Sequence, residues 1–203
     1  MTREQQRQRK ELKTELPKII KEIAADKNLK KKDFMLYAKK GELFFDCHIF
    51  VSVNDANECI CSTSESLKPM WIDDLLWELL DMKDNSKAPV SLRAIGAFAV
   101  SGAKIYENST ILSSWTKEEL RDIVREYINH FCESIDTADN SVFEDNLSRS
   151  YHGELREALY YIHTGQYQKA LDVVGDDEGC FTNGDLNIND AIRAYAGKHM
   201  HCS

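Results

Sequence analysis

The stretch DFMLYAKKGELFFDCHIFVSVNDANECICSTS, residues 33–64, decides the fold class of this chain. It is rich in Phe, Tyr, Val, Ile and Thr, which favour strands, in the runs DFMLYA, ELFFDCHIFVSV and ECICSTS. Lys40-Gly41 separates the first two runs and NDAN separates the last two, and both are typical turn sequences. This spacing predicts consecutive strands joined as an antiparallel meander.

The segment before the meander predicts an amphipathic helix. Its apolar residues recur at intervals of three and four, which places them on one helical face. Because a proline is tolerated in a first turn, Pro17 suggests that the ordered helix begins near Thr14 and that residues 2–10 fray. The apolar face consists of Leu12, Leu16, Ile19, Ile20 and Ile23.

Two further helices follow the meander. Pro69 is placed to open the first, which we expect from Ile72 to Met82. Thr116 and Glu119 have the spacing of a capping box for the second. Between the two helices, VSLRAIGAFAVSGAKIYENSTIL, residues 90–112, predicts one or two more strands. The stripe that the second helix buries is Leu120, Ile123, Val124, Tyr127, Ile128 and Phe131.

The C-terminal part of the chain predicts helices only. Residues 153–175 read as two helices joined at Thr164-Gly165, and residues 188–200 add a last short helix. Gly165, Tyr167 and Ala170 resemble the turn of a tetratricopeptide unit. A solenoid needs about three such repeats, so a helical hairpin packed on the main body is the better interpretation.

The fold class that follows is α+β. We expect an antiparallel sheet of four to five strands packed by amphipathic helices, with a C-terminal helical hairpin. The segment DTADNSVFEDNLSRS is polar and lacks a period, which is typical of a linker. The predicted organisation is therefore a core domain at residues 1–135, a linker at 136–150 and a helical appendage at 151–203.

Charge is distributed unevenly along the chain. Residues 1–40 hold 13 Lys and Arg against 6 Asp and Glu, whereas the remainder holds 13 against 28. An acidic body favours a basic partner, whose approach long-range attraction would accelerate. The alternative is a nucleic-acid-associated protein that would use the basic segment through Arg3, Arg7, Arg9, Lys10, Lys30, Lys31 and Lys32.

The sequence contains none of the common catalytic motifs. The Walker, dinucleotide-binding, nucleophile-elbow and metalloprotease patterns are all absent, so we predict a protein that is not an enzyme and needs no cofactor. A site assembled from distant residues remains the alternative. The tail residues His199, His201 and Cys202 could chelate a metal ion, although a frayed terminus is the simpler interpretation.

The cysteine pattern and the N-terminus indicate a cytoplasmic protein. The six cysteines show no Cys-x-x-Cys pair, and the chain has enough apolar residues to form a core without disulfides, so we expect free thiols. The first residues are charged and lack the apolar run of a secretory signal, and no later run is long enough to span a bilayer.

The helix after Pro69 carries an unexpected tryptophan among acids. Its apolar residues form one stripe, and Trp77 falls on the opposite arc, one turn from both Asp73 and Asp81. Either another segment of the chain covers the ring, or the ring is an anchor for a partner with basic residues. In the second case the partner-binding residues are Trp77, Asp73, Asp74, Glu78 and Asp81.

This helix and the segments before it resemble a known family of domains. The basic helix, the KKKDFMLYAKKGELFF segment and LKPMWIDDLLWELL resemble a family of small bacterial domains of unknown function in which a K-P-x-W-x-D-D-x-x-W helix follows a short meander. Related domains occur among immunity proteins of polymorphic toxin and contact-dependent growth inhibition systems. The resemblance implies a noncatalytic protein that neutralises a cognate, basic toxin. It covers about residues 10–135, and the family-like positions are Lys68, Pro69, Trp71, Asp73, Asp74 and Trp77.

Overall fold

A computed structural model describes residues 2–32, 34–149 and 151–200. Within these residues the chain forms eight α-helices, a five-stranded sheet and a small two-stranded ribbon. The α+β class predicted from the sequence is confirmed. The elements are α1 Arg3–Ala24, β1 Lys30–Lys32, β2 Met35–Lys40, β3 Leu43–Val53, β4 Cys59–Pro69, α2 Met70–Leu79, α3 Leu92–Ile95, β5 Ala103–Ile111, α4 Lys117–Thr137, α5 Asn140–Glu144, α6 Gly153–His163, α7 Tyr167–Val174, β6 Thr182–Asn183, β7 Leu186–Asn187 and α8 Ile188–Met200.

The large sheet has the strand order β1-β2-β3-β4-β5. The pairing of β2 with β3 sets Leu36 opposite Cys47, and both side chains are fully buried on the face that carries the helices. Their neighbours Tyr37 and Asp46 form the next pair, on the other face. The meander arises as predicted, because Gly41 supplies the positive φ of 57° that the β2–β3 turn needs.

The chain divides into two compact units. Unit 1 comprises Met1–Leu67 and Lys104–Asp139, and unit 2 comprises Lys68–Ala103 and Asn140–Ser203. The sequence placed residues 68–103 in a continuous 1–135 domain, and this assignment is corrected. The physical reason is that α2 packs against α6 and α8, so its apolar face is buried by the C-terminal helices.

In unit 1, α1 and α4 pack against each other and against β3. Leu16 and Ile20 of α1 and Val124, Ile128 and Phe131 of α4 are buried. Helix α1 begins at Arg3 and not near Thr14, because Thr2 and Gln5 form a capping box that stabilises an earlier N-terminus. Pro17 therefore lies inside the helix.

In unit 2, α6, α7 and α8 form the helical C-terminal part, and α6 and α7 form the predicted hairpin. Gly165, with a φ of 72°, ends the first helix of the hairpin in the left-handed conformation. Residues 90–112 contain one strand, β5, preceded by the short helix α3. The expected linker at 136–150 includes the last residues of α4 and the short helix α5.

Candidate functional site

The predicted partner anchor, Trp77, lies in the interior of unit 2. Its side chain is 1% exposed, its Nε1 donates to the Phe98 carbonyl at 2.5 Å, and the Arg93 guanidinium lies 4.7 Å from the ring centroid. Of the two alternatives for this ring, the partner anchor is therefore wrong and cover by the same chain is correct. Another segment of the same chain, residues 93–98, covers the ring.

Asp73 is buried as well, at 0% exposure, and is surrounded by donors. It accepts hydrogen bonds from the Val100 amide at 2.8 Å and the Lys68 Nζ at 3.0 Å, and its second oxygen lies 3.4 Å from Arg93. Lys68 also donates to the Arg93 carbonyl at 2.9 Å and to the Val100 carbonyl at 2.5 Å. The charged residues of the motif thus fasten residues 93–100 onto α2.

The other predicted partner-binding residues do not surround an aromatic anchor. Asp74 pairs with Arg93 at 2.6 Å, and Glu78 pairs with Lys83 at 2.9 Å. Asp81 is exposed and has a positive φ of 56° just after α2. The five residues are brought near one helix, but two are buried and two pair with cations of the same chain. They form no continuous docking patch.

Trp71, the other tryptophan of the motif, also has an internal role. Its ring stacks on His163 with centroids 3.9 Å apart and an interplanar angle of 5°, and it meets Phe143 edge-on at 6.3 Å. His163 belongs to α6 and Phe143 to α5, so Trp71 joins α2 to the C-terminal half of unit 2. The K-P-x-W-x-D-D-x-x-W motif is, in this fold, a packing motif.

Unit 2 also contains an open cleft of about 870 Å³ that sequence reasoning missed. It is formed by the segment before α6, the first turn of α6, the end of α7 and the segment after α7. The lining combines aromatic, acidic and potentially nucleophilic side chains. It consists of Ser148, Tyr151, His152, Gly153, Glu154, Leu155, Val173, Val174, Gly175, Asp177, Glu178, Gly179, Cys180 and Asn189.

His152 occupies the aromatic side of this cleft. It adopts a left-handed backbone with φ 61°, and its Nδ1 accepts a hydrogen bond from the Ser101 amide at 3.1 Å. Its ring lies between Tyr151 and Phe181, at centroid distances of 4.0 and 5.0 Å. Burial, followed by the positive charges of Arg156 and Lys68, lowers the pKa of His152 to about 4. The imidazole is therefore neutral at pH 7.

Arg156 fixes the segment that carries Tyr151 and His152. Its guanidinium is fully buried and donates to the carbonyls of Leu147, Arg149, Tyr151 and Ser101, at 2.5 to 2.8 Å. Burial lowers the pKa of this guanidinium to about 10, which still leaves it charged at pH 7. These four hydrogen bonds fasten the backbone at Leu147, Arg149, Tyr151 and Ser101 to one side chain of α6.

Cys180 and His152 line the same cleft, which raises the question of a nucleophilic thiol. A cysteine nucleophile needs a thiolate stabilised by a nearby positive charge, commonly an imidazolium. Burial raises the pKa of the Cys180 thiol, and His152 is held neutral. The electrostatics therefore favour the uncharged pair and give no activated nucleophile.

The carboxylates of the cleft are suited to a cation. Glu154, Asp177 and Glu178 are exposed, and in residues 2–32, 34–149 and 151–200 none of their carboxylate oxygens lies within 4.0 Å of a Lys, Arg or His nitrogen. Arg193 donates to the backbone carbonyl of Asp177 at 3.4 Å. Tyr151 is 72% exposed beside them. Carboxylates together with an aromatic face are the groups that bind lysine and arginine side chains.

Metal binding has no comparable support. Among the described residues no group of three or more His, Cys, Asp and Glu side chains is placed to hold a metal ion. Of the predicted tail ligands, His199 contacts the Tyr195 carbonyl at 2.8 Å through Nδ1, whereas His201 and Cys202 lie outside the described residues. Cys47, Cys59, Cys61, Cys132 and Cys180 are free thiols, as expected.

The basic segment is distributed over several elements. Arg3 and Arg7 lie on α1, where Arg7 pairs with Glu4 at 2.7 Å, and Lys30 and Lys32 lie on β1. The remaining residues proposed for nucleic acid are Arg9 and Lys10 on α1 and Lys31 on β1. None of the helices in the described part of the chain is long and apolar enough to cross a membrane.

Comparison with protein-family models, with curated proteins and with solved structures finds no match to this chain. The resemblance to the family of small bacterial domains of unknown function therefore rests on the motif residues. Because those residues are used in packing, they give a reason for the fold of unit 2 and do not identify a binding surface.

Proposed function

We propose that this chain is a noncatalytic binding protein of the immunity type, which neutralises a basic toxin by covering it. The observation that carries the proposal is Tyr151, an aromatic side chain 72% exposed at a cleft with three carboxylates. Large exposed aromatic rings of this kind are common anchors of protein interfaces. The partner-binding surface that we propose is therefore the cleft of unit 2, and not the surroundings of Trp77.

The negative net charge of unit 2 favours a basic partner. Unit 2 holds 9 Lys and Arg against 15 Asp and Glu, a net charge of −6, and unit 1 holds 17 against 19. An acidic surface attracts a basic protein over about 10 Å at moderate salt and accelerates the encounter. Glu154, Asp177 and Glu178 would then pair with lysine or arginine side chains of the toxin.

The hydrogen bonds of Arg156 support binding at this cleft. Arg156 holds the backbone carbonyls of Arg149 and Tyr151, so little backbone entropy is lost at these two residues when a partner binds the ring. Inhibition by occlusion needs no reaction and no cofactor from this chain. We place the interaction in the cytoplasm, where a toxin would act on the producing cell or its neighbour.

The experiment is a protection assay. The C-terminal domain of the protein encoded directly upstream is expressed in a bacterial host with and without this chain, and survival and direct affinity are measured. We expect protection by the wild type and a loss of affinity of about 30-fold or more for Tyr151→Ala, as for an interface anchor. Phe50→Ala is the matched control, because Phe50 is also an exposed aromatic residue, 46% exposed, but lies on β3.

Two results would count against the proposal. One is an upstream product that neither inhibits growth nor binds the chain. The other is equal affinity for wild type and Tyr151→Ala, which would remove the cleft as the site even if protection were observed.

A further inference from the structure

The two edges of the five-stranded sheet in unit 1 differ strongly. β1 is three residues long and consists of Lys30, Lys31 and Lys32, which is a common way of preventing strand addition at an edge. β5, at the other edge, spans nine residues without proline. In the described chain β4 is the only strand of the large sheet that neighbours β5. A long edge of this kind is a template for another strand.

The direction of the backbone groups on β5 can be worked out. The Leu112 amide donates to the Cys59 carbonyl of β4 at 2.8 Å. Side-chain contacts give the same register, because Ser109 bonds Ser62 at 2.8 Å. Since successive residues of a strand alternate, the amides of Ile105, Glu107, Ser109 and Ile111 point away from β4.

Most of the residues with outward amides are exposed. Glu107 and Ser109 are exposed, Ile111 is 51% exposed, and Ile105 is half-buried. The Ser109 amide is engaged by the Asn108 Oδ1 at 2.8 Å. The outward amides of Ile105 and Glu107 therefore remain for an added strand, with that of Ile111 at the end of β5.

Two acidic residues of α4 lie beside this edge, whereas Glu107 of β5 pairs with Lys104 of the same strand at 3.0 Å. His130 of α4 stacks on Tyr106 of β5 with centroids 3.7 Å apart, which places that flank of α4 beside the edge strand. Glu126 and Glu133 lie four residues before and three residues after His130, so they share this flank, and both are exposed. Neither has a salt-bridge partner among the described residues.

We propose that β5 accepts an extended, lysine- or arginine-rich segment of the protein partner as an added strand. Backbone hydrogen bonds from β5 would hold the segment, and Glu126 and Glu133 would select its positive charge. The inference rests on the proposed function for the class of partner, a basic protein, but it depends on different residues from the cleft of unit 2.

The test uses two acetylated peptides as probes, (Lys-Val)₄ and (Glu-Val)₄, with the full-length chain. Binding is measured by fluorescence anisotropy, and the contact is located by amide hydrogen exchange. We expect the lysine peptide to bind and to slow exchange at Ile105 and Glu107. Glu107→Pro removes an outward donor without removing a bond to β4, and we expect it to weaken binding about tenfold relative to Glu107→Ala.

A second variant avoids any disturbance of the strand. Glu126→Lys combined with Glu133→Lys changes only exposed positions on α4, and we expect about fivefold weaker binding of the lysine peptide. Asp84→Ala changes an exposed residue that belongs to neither proposed surface, and it is the control that leaves this binding unchanged. Loss of peptide binding in Tyr151→Ala but not in Glu107→Pro would assign the peptide to the cleft of unit 2 and overturn the proposal for β5.

Three further outcomes would overturn the proposal. The first is equal binding of both peptides, and the second is binding of the lysine peptide without protection at β5. The third is a concentration-dependent dimer that Glu107→Pro abolishes, because it would assign the edge to a second copy of this chain.

Discussion

Asp73 is the residue on which the polar interior of unit 2 depends. It is fully buried and is the shared acceptor for Lys68, Arg93 and the Val100 amide. Two cations are accommodated there because the carboxylates of Asp73 and Asp74 and several carbonyl oxygens face them. Removing the Asp73 carboxylate would take away the one negative charge that contacts both buried cations.

We therefore expect Asp73→Ala to lower the free energy of unfolding by about 3 to 5 kcal/mol. The measurement is urea denaturation followed by circular dichroism. Asp84→Ala is the control, because the Asp84 side chain is 93% exposed and its pair with Lys87 is worth well under 1 kcal/mol. If Asp73→Ala lowers the free energy of unfolding no more than the control does, Asp73 does not fasten residues 93–100 onto α2.

His152 gives a prediction about pH. Its pKa is lowered from 6.5 to about 4 by burial, so as the pH falls below 6.5 the unfolded chain takes up a proton before the folded chain does. The stability contribution of the neutral ring is thus present above pH 6.5 and is lost as the pH falls towards 4. Because the ring is partly exposed, we expect a loss of about 1 kcal/mol from this residue.

The measurement compares unfolding free energies at pH 7 and pH 4.5 for the wild type and His152→Asn. Asparagine tolerates the left-handed backbone, and its oxygen can accept from the Ser101 amide. We expect the variant to lose less stability on acidification than the wild type. If acidification lowers the unfolding free energy of both proteins equally, the lowered pKa of His152 does not contribute to the loss of stability.

At the scale of the element, α4 shows how one side chain organises a helix N-terminus. Thr116 accepts from the Glu119 amide at 3.3 Å, while the Glu119 carboxylate accepts from the amides of Ser113, Ser114 and Trp115. Burial on its own raises the pKa of Glu119, but the hydrogen bonds from Ser114 and Ser113 together lower it to about 2. The carboxylate therefore holds the β5–α4 turn.

We expect Glu119→Gln to destabilise the protein by about 1 kcal/mol at pH 7, because a neutral amide is a weaker acceptor for these donors. Glu118→Gln is the control in the same helical turn, since Glu118 is exposed. Thermal unfolding by circular dichroism measures both. If the two variants unfold at the same temperature, the turn does not depend on Glu119.

At the scale of the molecule, the two units interleave along the sequence. Unit 2 takes residues 68–103 from the middle of the chain and combines them with the C-terminal helices. Its apolar helix α2 packs on α6 and α8, and Trp71 stacks on His163. Residues 1–139 alone therefore contain only one of the two segments that build unit 2.

The prediction concerns the fragment of residues 1–139. We expect it to expose the apolar face of α2, to bind a hydrophobic dye and to exchange the amides of residues 68–103 rapidly, whereas the full chain protects them. A fragment that unfolds cooperatively, with slow exchange in α2, would show instead that the first 139 residues form an independent domain.

Local sequence determined much of this fold. Strand propensity and the turn at Gly41 fixed the meander of residues 33–64, and helical spacing fixed the buried faces of α1 and α4, since both depend on neighbouring residues. Thr2 with Gln5 was an equally local signal for the start of α1. Pro17 predicted a later start near Thr14, but this helix tolerates a proline in its interior.

The tertiary structure decided what those elements face. Periodicity placed Trp77 and Asp73 opposite an apolar stripe, but residues about 20 positions later cover them with a carbonyl, a guanidinium and an amide. The cleft of unit 2 likewise joins Ser148 and residues 151–155 to residues 173–175 and 177–180 and to Asn189. Periodicity reports which face of a helix is apolar, whereas burial of the opposite face depends on contacts between segments far apart in sequence, which local spacing does not encode.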